Sequence, residues 1–265
     1  MTEPGRPLAG RVTLVTGASR GIGRGIAVGL GEAGATVVIT GRTIERDASG
    51  RSSTAELVEQ AGGKALALRC DHRVDADVAA VFQRVEQEYG RLDLLVNNAA
   101  AFPPTAVLFG DTPFWGLDVE RWDEQFDVTV RGGFVAAQHA ARMMVREHAG
   151  LIVNLSSAGA QRKFGILPYG VAKAATDRMT ADMAVELRDH GVAVVSLWPP
   201  PIATEAMIAG ADETDDPAQW SEPVFVGRVV AALAVDPGLM ARAGTAMRAR
   251  VLAEELGVAD VRAAG

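Results

Sequence analysis

Cysteine is all but missing from this chain: Cys70 is alone among 265 residues. A single thiol excludes an intramolecular disulfide and fits a reducing compartment. Histidine is almost as sparse. His72, His139, His148 and His190 are scattered, lack metal-ligand spacing, and read as structural or surface residues. No apolar run reaches bilayer-spanning length, and Met1-Thr2-Glu3-Pro4-Gly5-Arg6-Pro7 has no apolar signal core, so a cytoplasmic protein with no membrane partner is expected. There is no Lys/Arg block, and a net charge of −7 argues against a nucleic-acid binder. Neither a repeat nor a linker interrupts residues 1–265, which read as one domain; 48% hydrophobic and 22% charged residues are enough for a sizeable core.

What the chain does have is a regular alternation of short apolar runs and longer helical patterns. Strands are expected at 12–15, 36–40, 65–70, 92–96, 151–155 and 193–197, with a weak one near Thr245. Helices are expected from the glycine loop to about Ala33, then at 54–61, 74–89, 122–147, 168–190 and 224–235. This predicts a single doubly wound α/β domain around a parallel sheet.

Between the first strand and helix lies Thr16-Gly17-Ala18-Ser19-Arg20-Gly21-Ile22-Gly23. Gly17, Gly21 and Gly23 let the backbone turn tightly and approach a pyrophosphate at the helix N-terminus, where free N–H groups and the dipole favour an anion. The second strand ends in Thr40-Gly41-Arg42, where an NAD site usually carries an Asp or Glu for the ribose 2′-hydroxyl. Two guanidiniums, Arg20 and Arg42, suit a 2′-phosphate instead, which predicts NADP(H) over NAD(H). Asp71, closing the third strand, could accept from the adenine amine or cap the following helix. Asn97-Asn98-Ala99-Ala100 closes the fourth, at the edge where open α/β sheets bind ligands. Residues 101–121 form a long irregular segment; Phe102, Phe109, Phe114 and Trp115, with Phe164 and Met207 elsewhere, are expected to line an apolar substrate pocket. Pro103 and Pro104 fall in the same segment. Pro199-Pro200-Pro201 forces an extended exit from the sixth strand, and acidic residues 205–223 read as a mobile flap over the site.

The chemistry is concentrated in residues 151–173, LIVNLSSAGAQRKFGILPYGVAK. Ser156 and Ser157 fall at the end of a buried strand. Tyr169 and Lys173 are four apart, so a helix puts them on one face. A phenol with a pKa near ~10 is a poor acid at neutral pH. A neighbouring ammonium lowers that pKa, while a serine hydroxyl can hold a substrate oxygen beside it. Many surface helices carry such a pair by chance, so the reading depends on the phosphate loop elsewhere in the chain.

Taken in order, the 16–23 loop, the Asn97-Asn98-Ala99 turn, and Ser157 with Tyr169 and Lys173 resemble the short-chain dehydrogenase/reductase family, over about residues 8–240. The resemblance implies a Rossmann-type sheet of about seven parallel strands, and hydride transfer between a nicotinamide and a carbonyl or alcohol carbon. It makes Tyr169 the general acid/base, Lys173 the residue that tunes it and bonds the nicotinamide ribose, and Ser157, rather than Ser156, the holder of the substrate oxygen. Gly17, Ser19, Arg20, Gly21, Ile22, Gly23, Arg42, Asp71, Asn98, Ile202 and Thr204 fall on the cofactor side, the last two in the carboxamide-binding segment. It also implies a homo-oligomer built on the helices at 122–147 and 168–190. Their many alanines allow that packing, or ordinary packing of helix on sheet.

Three positions depart from the family pattern. Thr129 stands where many members carry an asparagine that completes a water-linked proton relay, and a hydroxyl has fewer groups and a shorter reach. Ala100 replaces a glycine near the cofactor. Pro200 and Pro201 stiffen the strand exit and remove backbone donors. These keep a second reading open: a cofactor-binding sensor or scaffold with little turnover.

Overall fold

A computed structural model describes residues 5–44, 53–102, 105–110, 112–211, 213 and 215–260; Pro103, Pro104 and Asp212 lie outside these. Seven strands form one sheet: β1 (Val12–Val15), β2 (Thr36–Gly41), β3 (Lys64–Arg69), β4 (Leu94–Asn97), β5 (Gly150–Leu155), β6 (Val192–Trp198) and β7 (Ala246–Arg248). Their order is β3-β2-β1-β4-β5-β6-β7, and every pairing is parallel. β1, β4 and β6 are buried along their whole length and apolar but for Thr13, Asn97 and Ser196; β3 and β7, at the edges, are more exposed. The chain reverses its winding between β1 and β4. In open α/β sheets a reversal of this kind marks the ligand crevice, at the carboxyl ends of the strands.

The helices are α1 (Gly21–Glu32), α2 (Thr54–Gln60), α3 (Asp75–Tyr89), α4 (Thr105–Leu108), α5 (Glu120–Gln125), α6 (Gly132–Glu147), α7 (Leu167–Leu187), α8 (Glu205–Ala209), α9 (Pro223–Leu233), α10 (Leu239–Arg242) and α11 (Ala249–Leu256). α1 and α9 cross unusually closely. A Cβ on Gly25 would lie 2.2 Å from the Pro223 carbonyl carbon, and one on Gly29 2.7 Å from that of Gly227.

Several boundaries differ from expectation for physical reasons. β4 starts at Leu94 rather than 92 because the Asp93 carboxylate takes the Val12 N–H at 2.8 Å and is flanked by Arg11 and Arg91. Asp71 does not cap α3. The cap position is Val74, and the Asp71 carboxylate accepts from the Arg73 backbone and side chain. The long helix begins at Glu120 and passes through a π-helical stretch, Phe126–Arg131, before α6. The expected irregular segment and flap each contain short helices, α4 and α8, and a bridge between Ile202 and Ser221 closes the flap at its base.

Candidate active site

The glycine loop is fastened to the end of β4. The Thr16 hydroxyl accepts the N–H groups of Asn98 and Ala99, each at 3.0 Å. Asn98 Nδ2 donates to the carbonyls of Thr16 and Gly17 at 2.8 and 3.0 Å. Two of the glycines serve this contact. A Cβ on Gly17 would come within 2.8 Å of Ala99 Cα, and one on Gly23 within 2.3 Å of Asn98 Nδ2. Gly21 shares with Gly17 a left-handed φ, +58° and +63°, but a Cβ there would meet only the Thr204 side chain, at 3.7 Å. The α1 N-terminus has no side-chain cap on Arg20 and no acidic residue in its first turn. Uncapped N–H groups at the positive end of a helix dipole are what a phosphate group requires, so these residues fit a dinucleotide. Half-buried Ile22 packs inward on the core, and Arg24 Nη2 braces the Ser19 carbonyl at 2.6 Å.

At the end of β2, Ser19 lies within 3.1 Å of a Cβ position on Gly41, and Arg20 and Arg42 are both exposed. Asp71 closes this side. Its carboxyl is held down to about 2, chiefly by hydrogen bonds from Arg73, with Arg42 adding a smaller attraction. Thr40 beneath is bonded to buried His72 at 2.8 Å. Burial pushes His72 down to about 4 and raises the Cys70 thiol to about 12, so at neutral pH neither is charged.

β5 ends at Leu155, and the two serines after it diverge. Ser156 is buried and donates to the Lys173 carbonyl at 3.1 Å. Ser157 turns toward the crevice, where its Oγ accepts the Gly159 N–H at 3.1 Å, and it lies beside the Tyr169 ring, the two flanking a Cβ position on Gly159 at 3.1 and 3.2 Å. α7 places Tyr169 and Lys173 on one buried face, with Nζ 5.7 Å from the Tyr169 ring centre. Nζ donates to the Leu155 carbonyl at 2.8 Å. Burial raises the Tyr169 phenol, and the Ser157 side chain opposes it. Lys173 is itself pushed down to about 8 by burial, against the pull of Asp177.

The expected aromatic wall gathers only in part. Phe102 meets Tyr169 edge-on at 6.3 Å, Phe164 lies tilted at 6.2 Å, and Phe109 packs against Phe164 at 5.3 Å. Phe114 and Trp115 pair with each other and are 62% and 78% exposed. Ile202 and Thr204 are buried, Thr204 beside Gly21, and the Thr204 hydroxyl accepts the Met207 N–H to cap α8.

Thr129 sits in the π-helical stretch, buried, its hydroxyl without a partner. One turn earlier is a residue the sequence did not single out. Gln125 is 2% exposed, donates through Nε2 to the Ala101 carbonyl, and buries an unpartnered Oε1. Its signal was an uncharged amide four residues before Thr129, on the same helical face. Asn97 joins the layer below, donating from Nδ2 to Gly133 and to Asn154, which passes the chain of bonds to Thr180.

Among the described residues, no group of three or more His, Cys, Asp or Glu is placed to hold a metal ion, and no helix is long and apolar enough to cross a membrane.

A sequence model of the family described as short chain dehydrogenase matches residues 11–215. The chain is 40% identical to mouse dehydrogenase/reductase SDR family member 1, over 96% of this chain and 84% of that protein. It is 33% identical to an NADPH-dependent aldehyde reductase-like chloroplastic protein of Arabidopsis thaliana, over 79% of each. A mutant Serratia marcescens short-chain dehydrogenase/reductase superposes with a TM-score of 0.77 at 31% identity, covering 91% of this chain and 97% of that one. With the seven-stranded parallel sheet, these likenesses make the chain a member of the short-chain dehydrogenase/reductase family, oxidoreductases that use a nicotinamide cofactor.

Proposed function

We propose that residues 1–265 form one NADP(H)-dependent carbonyl reductase or alcohol dehydrogenase unit with Tyr169 as general acid/base. The observation that carries this is the meeting of Ser157, Tyr169 and Lys173 in the crevice, on the same edge of the sheet as an uncapped, glycine-lined helix N-terminus. When bound, the cofactor supplies or accepts the hydride. In reduction, Ser157 holds the carbonyl oxygen and Tyr169 gives it a proton. Tyr169 carries its proton at neutral pH; burial raises its pKa, and the Ser157 hydroxyl, which lowers it, is what strengthens it as an acid. Lys173, fixed by the Leu155 carbonyl, keeps a cation near the tyrosine and bonds the nicotinamide ribose.

On the cofactor side, Gly17, Ser19, Gly21, Ile22 and Gly23 shape the pyrophosphate cradle, with Asn98 holding the loop in place. Arg20 and Arg42 face the 2′-phosphate, which favours NADP(H); the Arabidopsis relative's name points the same way. Asp71 borders the adenine end, and Ile202 and Thr204 the carboxamide end. The Phe102 and Phe164 rings on Tyr169 favour an apolar ketone or aldehyde larger than acetone. The enzyme works in the cytoplasm as a homo-oligomer.

The test is NADPH oxidation with an aromatic diketone, with NADH in parallel and binding of both measured in the same samples. Turnover with NADPH exceeding that with NADH is expected. NADPH bound without turnover of a wide carbonyl panel would favour a sensor or scaffold instead. The observation behind that second reading is the unpartnered hydroxyl of Thr129, and turnover restored by Thr129→Asn would trace the loss to the relay.

A further inference from the structure

Residues 250–260 reach back to the base of the 203–220 loop and meet it at one buried hydroxyl. Ser221 is fully buried, and its backbone is tied in both directions to the exit from β6. Its N–H donates to the Pro201 carbonyl at 3.0 Å, and the Ala203 N–H donates to the Ser221 carbonyl at 2.9 Å. The two ends of the loop are therefore fastened together beside Ile202 and Thr204. From behind, the Ser221 hydroxyl donates to Asp260 Oδ2 and accepts from Arg250 Nη2 at 3.1 Å. Arg250 also donates to the Gln219 carbonyl at 3.3 Å, and its Nε lies 3.6 Å from Asp260 Oδ2.

A buried serine needs one partner, and any backbone carbonyl would serve. Here a carboxylate and a guanidinium converge on it, the Asp260 side chain 11% exposed and that of Arg250 44%, although a carboxylate loses hydration when withdrawn from water. Asp260 Oδ1 is buried without a partner, so the carboxylate is held by Ser221 and Arg250 alone among the described contacts. Charge-assisted bonds of this kind are stronger and more directional than neutral ones, and they fix position.

We propose that Asp260 and Arg250 act as a catch on Ser221, and that Asp260 is thereby a positioning residue for the 202–204 side of the cofactor site. This rests on the cofactor reading above. The catch couples three elements distant in sequence, the β6 exit, the start of α9 and the C-terminal segment, so that release at Asp260 frees the base of the loop.

The test uses the full chain and two independent readouts. A glutamate-specific protease reports the loop by cleavage at Glu205 and Glu213, and NADPH fluorescence reports affinity. Asp260→Ala should raise loop cleavage and the NADPH Kd by about tenfold each, as loss of one charged, part-buried bond implies. It should leave kcat at saturating NADPH within about twofold, because Asp260 touches no reacting atom. Asp260→Asn, which still accepts from Ser221, should recover most of the protection. Ser221→Ala combined with Asp260→Ala should be no worse than either alone, since both remove the same bond. Should Asp260→Ala fail to fold, Arg250→Gln carries the comparison.

Unchanged cleavage and Kd in folded Asp260→Ala would overturn the proposal. So would cleavage rising throughout the chain together with a lower Tm, which would mark a general stability residue. If the wild type binds no NADPH, the oxidoreductase reading fails while the loop-cleavage comparison still decides the catch.

Discussion

Replacing Lys173 by Met should abolish turnover while leaving the protein about as stable as before. Lys173 is 6% exposed, and burial moves its pKa from 10.5 to about 8. That drop sets about 3 kcal/mol against the charged form at neutral pH. The bond from Nζ to the Leu155 carbonyl offsets about 1.5–3 kcal/mol of it. Methionine fills nearly the same volume without a charge, so the net change at pH 7 should lie within about 2 kcal/mol of zero. The sign of the pH dependence follows. The unfolded lysine keeps its proton up to its ordinary 10.5, and the folded one releases it near 8. Between those values the unfolded chain binds more protons, and the wild type gains stability as pH rises, by up to about 3 kcal/mol relative to the variant. Urea denaturation of both proteins at pH 7 and pH 10 measures this directly. A variant destabilised by more than about 4 kcal/mol at pH 7, or a wild-type-minus-variant difference that is flat with pH, would refute the reasoning.

His72 gives the acid counterpart. Its folded pKa of about 4 lies below the ordinary 6.5, so the unfolded chain takes up the extra proton first. Stability should fall by up to about 3 kcal/mol as pH drops through that window; Tm against pH should steepen there in the wild type and flatten in His72→Gln. Gly25→Ala should lower stability by about 3 kcal/mol, because its Cβ would sit 2.2 Å from Pro223 and force α1 and α9 apart, and thermal melting would register it. Arg42→Asp should erode the preference for NADPH over NADH by about a hundredfold through lost pairing with a 2′-phosphate, read as the ratio of the two kcat/KM values.

The sheet was readable because a parallel strand buried on both faces is a short, nearly continuous apolar run, as in Val192–Val195 of β6. The glycine loop was readable because its spacing sits between such a strand and a helix. The start of β4 was not, since nothing local reveals that Asp93 will be held by Arg11 and Arg91 across the sheet. The π-helical stretch carries neither proline nor any other interior signal in Phe126–Arg131, so it arises from packing alone. Gln125 read as one more polar residue on an amphipathic helix; only the fold shows that side chain turned inward toward Ala101. Phe114 and Trp115 were misplaced for the opposite reason: aromatic composition says nothing about whether a loop folds over a site or out into water. The bond from Lys173 Nζ to the Leu155 carbonyl was not readable either, since four-residue spacing fixes a face but not a partner.

The central claim is that Tyr169 moves the proton, and one comparison tests it most directly: NADPH oxidation with an aromatic diketone by wild type and Tyr169→Phe, with NADPH binding measured on both. The account predicts at least a hundredfold loss of turnover, about what removal of a general acid produces, with NADPH affinity within about threefold of wild type. Turnover retained in Tyr169→Phe would contradict it.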